Sequence, residues 1–353
     1  MRVQTSSSRP PATACIRAPN WVGDVIMATP AFRCVRLELS RSRIVLVVRD
    51  AVAEVLRGAP WFDAWVICRG GTRSLLRCAR QIRGERCELG LVLPNSFSSA
   101  LMFWLAGVKR RVGYVRDGRG LLLTTPLPRP SADGRFVPTY MADYYLALCE
   151  AAGLHPHGRE TELFFTERDM QASRAVLIRA GVDLERLLFL FHPAAAYGPS
   201  KLWPEERFAR LAEMLQEEFG AQVACIGSAA AGGTAQRIAA ESRAQVVDLT
   251  GCGIGLHGLK CVVRLSRLLV TTDSGPRHYG VALGVPTVCL MGPTDPGYST
   301  SGRPHDHVVR VETDCGPCQR KVCRRDHRCM EGITPEMVLD ACRKALRGRE
   351  GVA

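Results

Sequence analysis

A chain of 353 residues that is 46% hydrophobic and 23% charged has apolar material for two domains with cores of their own, and too much of it for intrinsic disorder. Its formal net charge of +13 points to acidic partners, among them nucleotides, anionic lipids and nucleic acid, with a generally Arg-rich surface as the competing explanation. No apolar run approaches the length of a membrane-spanning helix, so a cytoplasmic protein is expected rather than an integral membrane one.

In chain order, residues 1–13 are Ser-, Pro- and Thr-rich, lack a signal-peptide hydrophobic region and are expected to form a disordered tail. Apolar runs at 14–18, 43–48 and 89–93 alternate with amphipathic stretches and read as strands of a first parallel sheet. Residues 154–169, with His155-Pro156-His157-Gly158 and mixed charges, break the alternation and are the candidate linker. A helix over 170–180 follows, and strands at 187–191, 222–226, 246–249, 267–271 and 286–290 build a second sheet. Thr334-Pro335-Glu336 reads as a cap with Pro at the first helical position, opening a last helix to about residue 346. This βα alternation predicts an α/β fold of two doubly wound parallel sheets covered by helices. The expected division is an N-terminal domain over 14–165, a C-terminal domain over 166–333, and a terminal helix and tail over 334–353. Ligands of such sheets bind beyond the carboxyl ends of the strands, which in tandem domains face one cleft, so the chemistry is expected on loops that follow strands.

The most informative of these loops follows the strand near 267–271. There Asp273-Ser274-Gly275-Pro276 breaks the apolar run before helical spacing resumes. Asp273 or Ser274 can cap the helix, Gly275 lets an anion approach the backbone, and Pro276 suits a first turn. With the positive end of the helix dipole behind them, the free N–H groups suit a diphosphate, and His278 would lie one turn in. An ordinary capped helix explains the same residues, and both readings stand open. After the first strand, Asn20-Trp21-Val22-Gly23-Asp24 brings a carboxylate to a helix start, either as an N-cap or as a base for an acceptor hydroxyl. The loop Tyr197-Gly198-Pro199-Ser200-Lys201 offers an ammonium to a phosphate, with a solvated lysine as the alternative. Asn95, Ser96, Arg116 and Arg119 combine an amide, a hydroxyl and guanidinium groups around glycines, which suits a sugar or phosphate. Thr294, after the strand near 286–290, offers a hydroxyl toward the same cleft.

Most of the 15 cysteines, such as Cys34, Cys149, Cys225 and Cys289, lie in apolar segments and read as small buried hydrophobes of a reducing compartment. Cys315, Cys318, Cys323 and Cys329 instead crowd with His327 into a short basic segment over 315–329. Structural zinc or a disulfide pair is sterically open there, although the spacing fits no standard zinc module well.

The segments 19–31, 196–208 and 272–278, with 93–97, 111–120 and 284–295, together resemble the lipopolysaccharide heptosyltransferases of glycosyltransferase family 9, most of all their type II branch. The similarity runs in order from about Cys15 to Leu346. It implies a GT-B fold, two Rossmann-like domains facing a central cleft, with the acceptor on the N-terminal domain and ADP-heptose mainly on the C-terminal one. It further implies inverting heptosyl transfer to a heptose of the lipopolysaccharide inner core, with no cofactor and no catalytic metal. By that resemblance Asp24 is the general base and Lys201 the diphosphate contact. Tyr197, Ser200, Lys201, Asp273, Ser274, Gly275, Pro276, His278 and Thr294 serve the donor. Asn20, Trp21, Gly23, Asn95, Ser96, Arg116 and Arg119 serve the acceptor. The implied partners are a nucleotide sugar and the lipid A–Kdo–heptose acceptor, with peripheral contact at the cytoplasmic face of the inner membrane, no nucleic acid and a monomeric state. The chain departs from the family pattern at Ser274, where Thr is commoner, and at Arg277, where Met or Leu is usual; the second change is expected to alter donor contacts. Other readings are a transferase of the same fold with another sugar or acceptor, a non-catalytic nucleotide-binding module, and a zinc-bearing nucleic-acid binder. The last leaves the Asp24 and Lys201 loops unexplained.

Overall fold

The computed structural model describes residues 9–133 and 135–350. The tail expected over 1–13 therefore lies, through Ser8, outside the described residues, as do residues 351–353. The rest of that tail is tied down: the Ser42 hydroxyl donates to the Pro11 carbonyl at 2.5 Å, the Ala12 N–H donates to Glu88 at 2.7 Å, and Thr13 opens the first strand.

The chain forms two compact units, the first holding the described residues up to Trp21 with Ala28–Ala53 and Ala59–Glu160, the second holding Val22–Met27, Glu54–Gly58 and everything from Thr161 on. In the first, strands β1 (Thr13–Arg17), β2 (Arg43–Arg49), β3 (Ala64–Cys68), β4 (Leu89–Val92), β5 (Arg110–Tyr114) and β6 (Thr125–Leu127) make one sheet in the order 3-2-1-4-5-6. All its neighbours are parallel, with Ala14 of β1 level with Ile44 on one side and Leu89 on the other. The apolar centre of β2, Ile44 to Val48, is buried without alternation, as a strand covered on both faces requires. A short antiparallel pair, β7 (Ser131–Ala132) with β8 (Arg135–Phe136), stands apart from that sheet. Helices α2 (Thr29–Glu38), α3 (Asp50–Ala53), α4 (Gly71–Gly84), α5 (Phe97–Leu105) and α6 (Met141–Ala151) complete the unit, whose core gathers Val45, Val47, Ile82 and Phe103.

The second unit repeats the pattern. Strands β9 (Leu188–His192), β10 (Gln222–Cys225), β11 (Val246–Asp248), β12 (Leu268–Thr272), β13 (Thr287–Leu290) and β14 (Asp306–Val309) are parallel in the order 11-10-9-12-13-14. Besides α1 (Val22–Met27) it holds α7 (Glu167–Arg179), α8 (Glu205–Phe219), α9 (Gly232–Glu241), α10 (Leu256–Leu265), α11 (Gly275–Ala282), α12 (Arg328–Glu331) and α13 (Pro335–Glu350). Phe189, Phe191, Phe208, Val270, Leu290 and Met330 fill its core, and the indole N–H of Trp203 donates to the Ile333 carbonyl at 2.9 Å. Helix α7 starts three residues earlier than periodicity alone predicts, because the Thr166 hydroxyl and the Asp169 carboxylate form a reciprocal capping box. Among the described residues no helix is long and apolar enough to cross a membrane.

Candidate active site

Strand β12 is buried along its length and gives way to Asp273 and Ser274 before α11 begins at Gly275. Pro276 sits in the first turn, where a missing N–H costs least. The expected side-chain cap is absent. Ser274 holds the N-cap position in extended backbone, yet its hydroxyl turns back to His192 Nδ1 at 3.0 Å and the Thr272 carbonyl at 3.2 Å. Asp273 turns the other way, so α11 opens with no side-chain partner for its first N–H groups.

What Asp273 meets is Lys201, from the 3-10 turn Pro199–Lys201 beyond β9. The ammonium donates to Asp273 Oδ2 at 2.5 Å and to the Asp273 carbonyl at 2.8 Å, and lies 4.7 Å from the centre of the Tyr197 ring. The Thr294 hydroxyl donates to the same Oδ2 at 2.6 Å. Burial pushes the Asp273 carboxyl up, but the Lys201 and Arg277 charges and these hydrogen bonds outweigh it and hold the group down at about 2. Arg277, expected to alter donor contacts, is fully buried and bound to Asp306 at 3.0 Å.

Asp24 lies in the first turn of α1, a segment that belongs to the second compact unit although the sequence places it before the linker. The fit between α1 and α11 depends on two glycines. A Cβ on Gly23 would lie 2.6 Å from His278 Cδ2, and one on Gly275 would lie 3.0 Å from Val22 Cγ1. Only backbone without side chains allows this approach. Burial pushes the Asp24 carboxyl up to about 6 against the opposing pull of the Lys201 charge. Burial likewise pushes His192 and His278 down to about 4, helped at His278 by the Arg277 charge, so both rings are neutral at pH 7.

The remaining expected residues are placed differently. Tyr197 donates its hydroxyl to the Gln319 carbonyl at 2.6 Å, and Ser200 donates to the Arg320 carbonyl at 2.6 Å, so both hydroxyls bind the Cys-rich segment instead of facing open space. That segment also sends His327 Nε2 to the Ser200 carbonyl at 2.8 Å. All four of its cysteines are free thiols, with Cys329 buried, and among the described residues no three His, Cys, Asp or Glu side chains are grouped to hold a metal ion. In the first unit Asn20 accepts from Arg17 at 2.6 Å, and Trp21 is 60% exposed. Asn95 accepts from Tyr144 at 3.1 Å, and the Ser96 and Ser99 hydroxyls lie 2.7 Å apart. Arg119 is fully buried and donates to the Tyr114 carbonyl at 2.7 Å, the Pro94 carbonyl, the Ser96 carbonyl at 3.3 Å and Asn95 at 3.2 Å. It braces the loop after β4 from inside, whereas Arg116 is exposed beside Asp117 at 3.3 Å. Sequence reasoning missed Asp306 and Ser299, whose charged partners, Arg277 for both and Asp273 for Ser299, are remote in the chain and carry no local motif.

The family model for glycosyltransferase family 9 (heptosyltransferase) matches residues 75–328. Lipopolysaccharide heptosyltransferase 2 of Salmonella typhimurium is 28% identical over 95% of this chain and 98% of its own length, and its Escherichia coli counterpart is 28% identical over 91% and 95%. The solved structure of Escherichia coli ADP-heptose lps heptosyltransferase II superposes with a TM-score of 0.80 at 25% identity, covering 96% of this chain and 99% of that one. A family 9 glycosyl transferase from Veillonella parvula shares the fold at a TM-score of 0.84 and 21% identity, over 95% of this chain and 97% of its own. Two parallel six-stranded sheets flanked by helices are thus the GT-B fold of a glycosyltransferase, and the chain belongs to glycosyltransferase family 9, the heptosyltransferases.

Proposed function

We propose that this enzyme transfers L-glycero-D-manno-heptose from ADP-heptose to a heptose of the lipopolysaccharide inner core with inversion at the anomeric carbon. The observation that carries this reading is the gathering, within one compact unit, of a carboxyl raised to about 6 at Asp24, the Lys201–Asp273 pair and the uncapped start of α11. The acceptor hydroxyl oxygen attacks the anomeric carbon, Asp24 takes the hydroxyl proton, and the bond from that carbon to the phosphate oxygen breaks with its electron pair leaving on ADP. Lys201 and the α11 N–H groups meet the charge that grows on the departing diphosphate. The lysine ammonium supplies positive charge where other transferases use a divalent ion, so turnover is expected to survive EDTA. Tyr197 and Ser200 support the donor through the loop they stabilise, and Asn95, Ser96 and Arg116 stand on the loops of the first unit proposed for the acceptor. The basic composition suits an acidic acceptor with a lipid anchor and peripheral contact with an anionic membrane surface.

The test is a mass-spectrometric assay of purified enzyme with ADP-heptose and defined core acceptors, with and without EDTA. A gain of one heptosyl unit with release of ADP and an inverted anomeric centre is expected. Nucleotide-sugar hydrolysis without transfer, or no turnover with any heptose acceptor, would overturn the reading.

A further inference from the structure

Behind Asp273 the buried charges continue. Neither Arg277, in the first turn of α11, nor Asp306, at the start of β14, exposes any of its side chain. The guanidinium donates from Nε and Nη2 to the two Asp306 oxygens at 3.0 and 3.1 Å, fork on fork. It also reaches the Ser299 hydroxyl at 3.0 Å and the Thr300 hydroxyl at 3.2 Å. Ser299 in turn donates to Asp273 Oδ1 at 3.4 Å, an oxygen that Nη1 itself approaches to 3.7 Å. Asp306 is completed by the Ser301 N–H at 3.0 Å and hydroxyl at 2.7 Å.

Lys201, Asp273, Arg277 and Asp306 therefore form a buried row of alternating charge in which the two oxygens of Asp273 are divided. Oδ1 faces Arg277 and Ser299, while Oδ2 receives Lys201 and Thr294. A carboxylate with both oxygens free turns onto a neighbouring ammonium and occupies two of its N–H groups; one held at Oδ1 offers a single oxygen. We propose that Arg277, anchored by Asp306, is a positioning residue for Lys201: by engaging Oδ1 it limits the Asp273 side chain to one hydrogen bond with the ammonium and leaves the third N–H of Lys201 for a diphosphate oxygen of the nucleotide. The inference rests on the proposed role of Lys201 in donor binding. In this proposal Arg277 acts behind the lysine and not on the donor, its guanidinium being taken up by Asp306, Ser299 and Thr300.

The experiment measures ADP affinity by calorimetry, and donor KM and kcat, for Arg277→Met/Asp306→Leu, which removes both charges together so that neither is left buried alone. The double replacement is made in the wild-type background and again with Lys201→Ala. Affinity for ADP is expected to fall about tenfold in the first background and to stay unchanged in the second, because the effect runs through the lysine. Donor KM should rise in step, while the acid limb of the pH profile near 6 stays where Asp24 sets it. Unchanged ADP affinity in the folded double variant, or an equal loss in both backgrounds, overturns the inference and leaves the proposed function standing. Wild-type protein that binds no ADP overturns both. If the double variant does not fold, Ser299→Ala carries the test: a smaller loss of ADP affinity is expected, absent with Lys201→Ala, and unchanged binding overturns the proposal.

Discussion

At Asp24, burial disfavours the charge and the Lys201 ammonium favours it, and burial prevails, leaving the carboxyl at about 6 instead of 3.8. A base must be ionised when it accepts a proton, so kcat/KM is expected to fall about tenfold per pH unit below that value. Asp24→Asn should lower kcat by about a thousandfold and leave ADP binding nearly intact, checked by steady-state kinetics beside calorimetry. The same shift has a stability consequence. Because the folded pKa lies above the unfolded one, the native protein binds the extra proton between about pH 4 and 6, and stability falls as pH rises through that window. Asp24→Asn should therefore melt higher than wild type by about 2–4 °C at pH 8 and show no gain below pH 4, read by calorimetric scans. Asp273 has the opposite sign: held at about 2, it stabilises above pH 4, and that contribution is lost as pH falls through 2.

Among the elements, α1 and α11 meet through Gly23 and Gly275, and this contact carries Asp24 to the Asp273 loop. Gly23→Ala should overpack the His278 ring and destabilise by about 1–3 kcal/mol. Adding His278→Ala should recover most of that loss in chemical denaturation, whereas an unchanged loss would mean the strain lies elsewhere. The elements also differ in how far they can be read from the sequence. Strands β1, β2, β9 and β12 are short apolar runs buried on both faces, and they are legible for that reason. Strands β5 and β14 open with Arg110-Arg111 and Asp306-His307, polar residues that read as loop because their partners are distant in the chain. The Asp24 and Asp273 loops carry local turn chemistry and were visible as candidate sites. The burial of Arg119 was not, since the four acceptors that wrap it come together only in the folded sheet.

For the molecule as a whole, the proposed site draws on widely separated stretches of chain in the second unit. Residues 22–27 supply Asp24, residues 197–201 the lysine, and residues 273–278 the helix start, while residues 315–329 hold the lysine loop from behind. The Cys-rich segment is thus tied by hydrogen bonds to the loop of Tyr197 and Ser200, and through it to the proposed site. His327→Ala, which removes the 2.8 Å bond to the Ser200 carbonyl, should raise donor KM about threefold with little change in kcat, because one lost hydrogen bond loosens the proposed donor loop without touching Asp24. Equal KM for variant and wild type would count against this bracing role.

At the proposed donor site, the missing cap of α11 would make the nucleotide a structural part of the place it binds. With Ser274 committed to His192 and Thr272, a diphosphate would become the N-terminal cap the helix lacks, so occupancy should slow amide hydrogen exchange at Gly275, since Pro276 has no N–H and that of Arg277 already donates to the Ser274 carbonyl at 3.2 Å. Ser274→Asp would install a permanent anion in the same place, expected to stabilise the empty protein by about 1 kcal/mol while competing with ADP. Blockers of this enzyme should accordingly owe more of their affinity to a doubly charged head group than to the sugar they imitate.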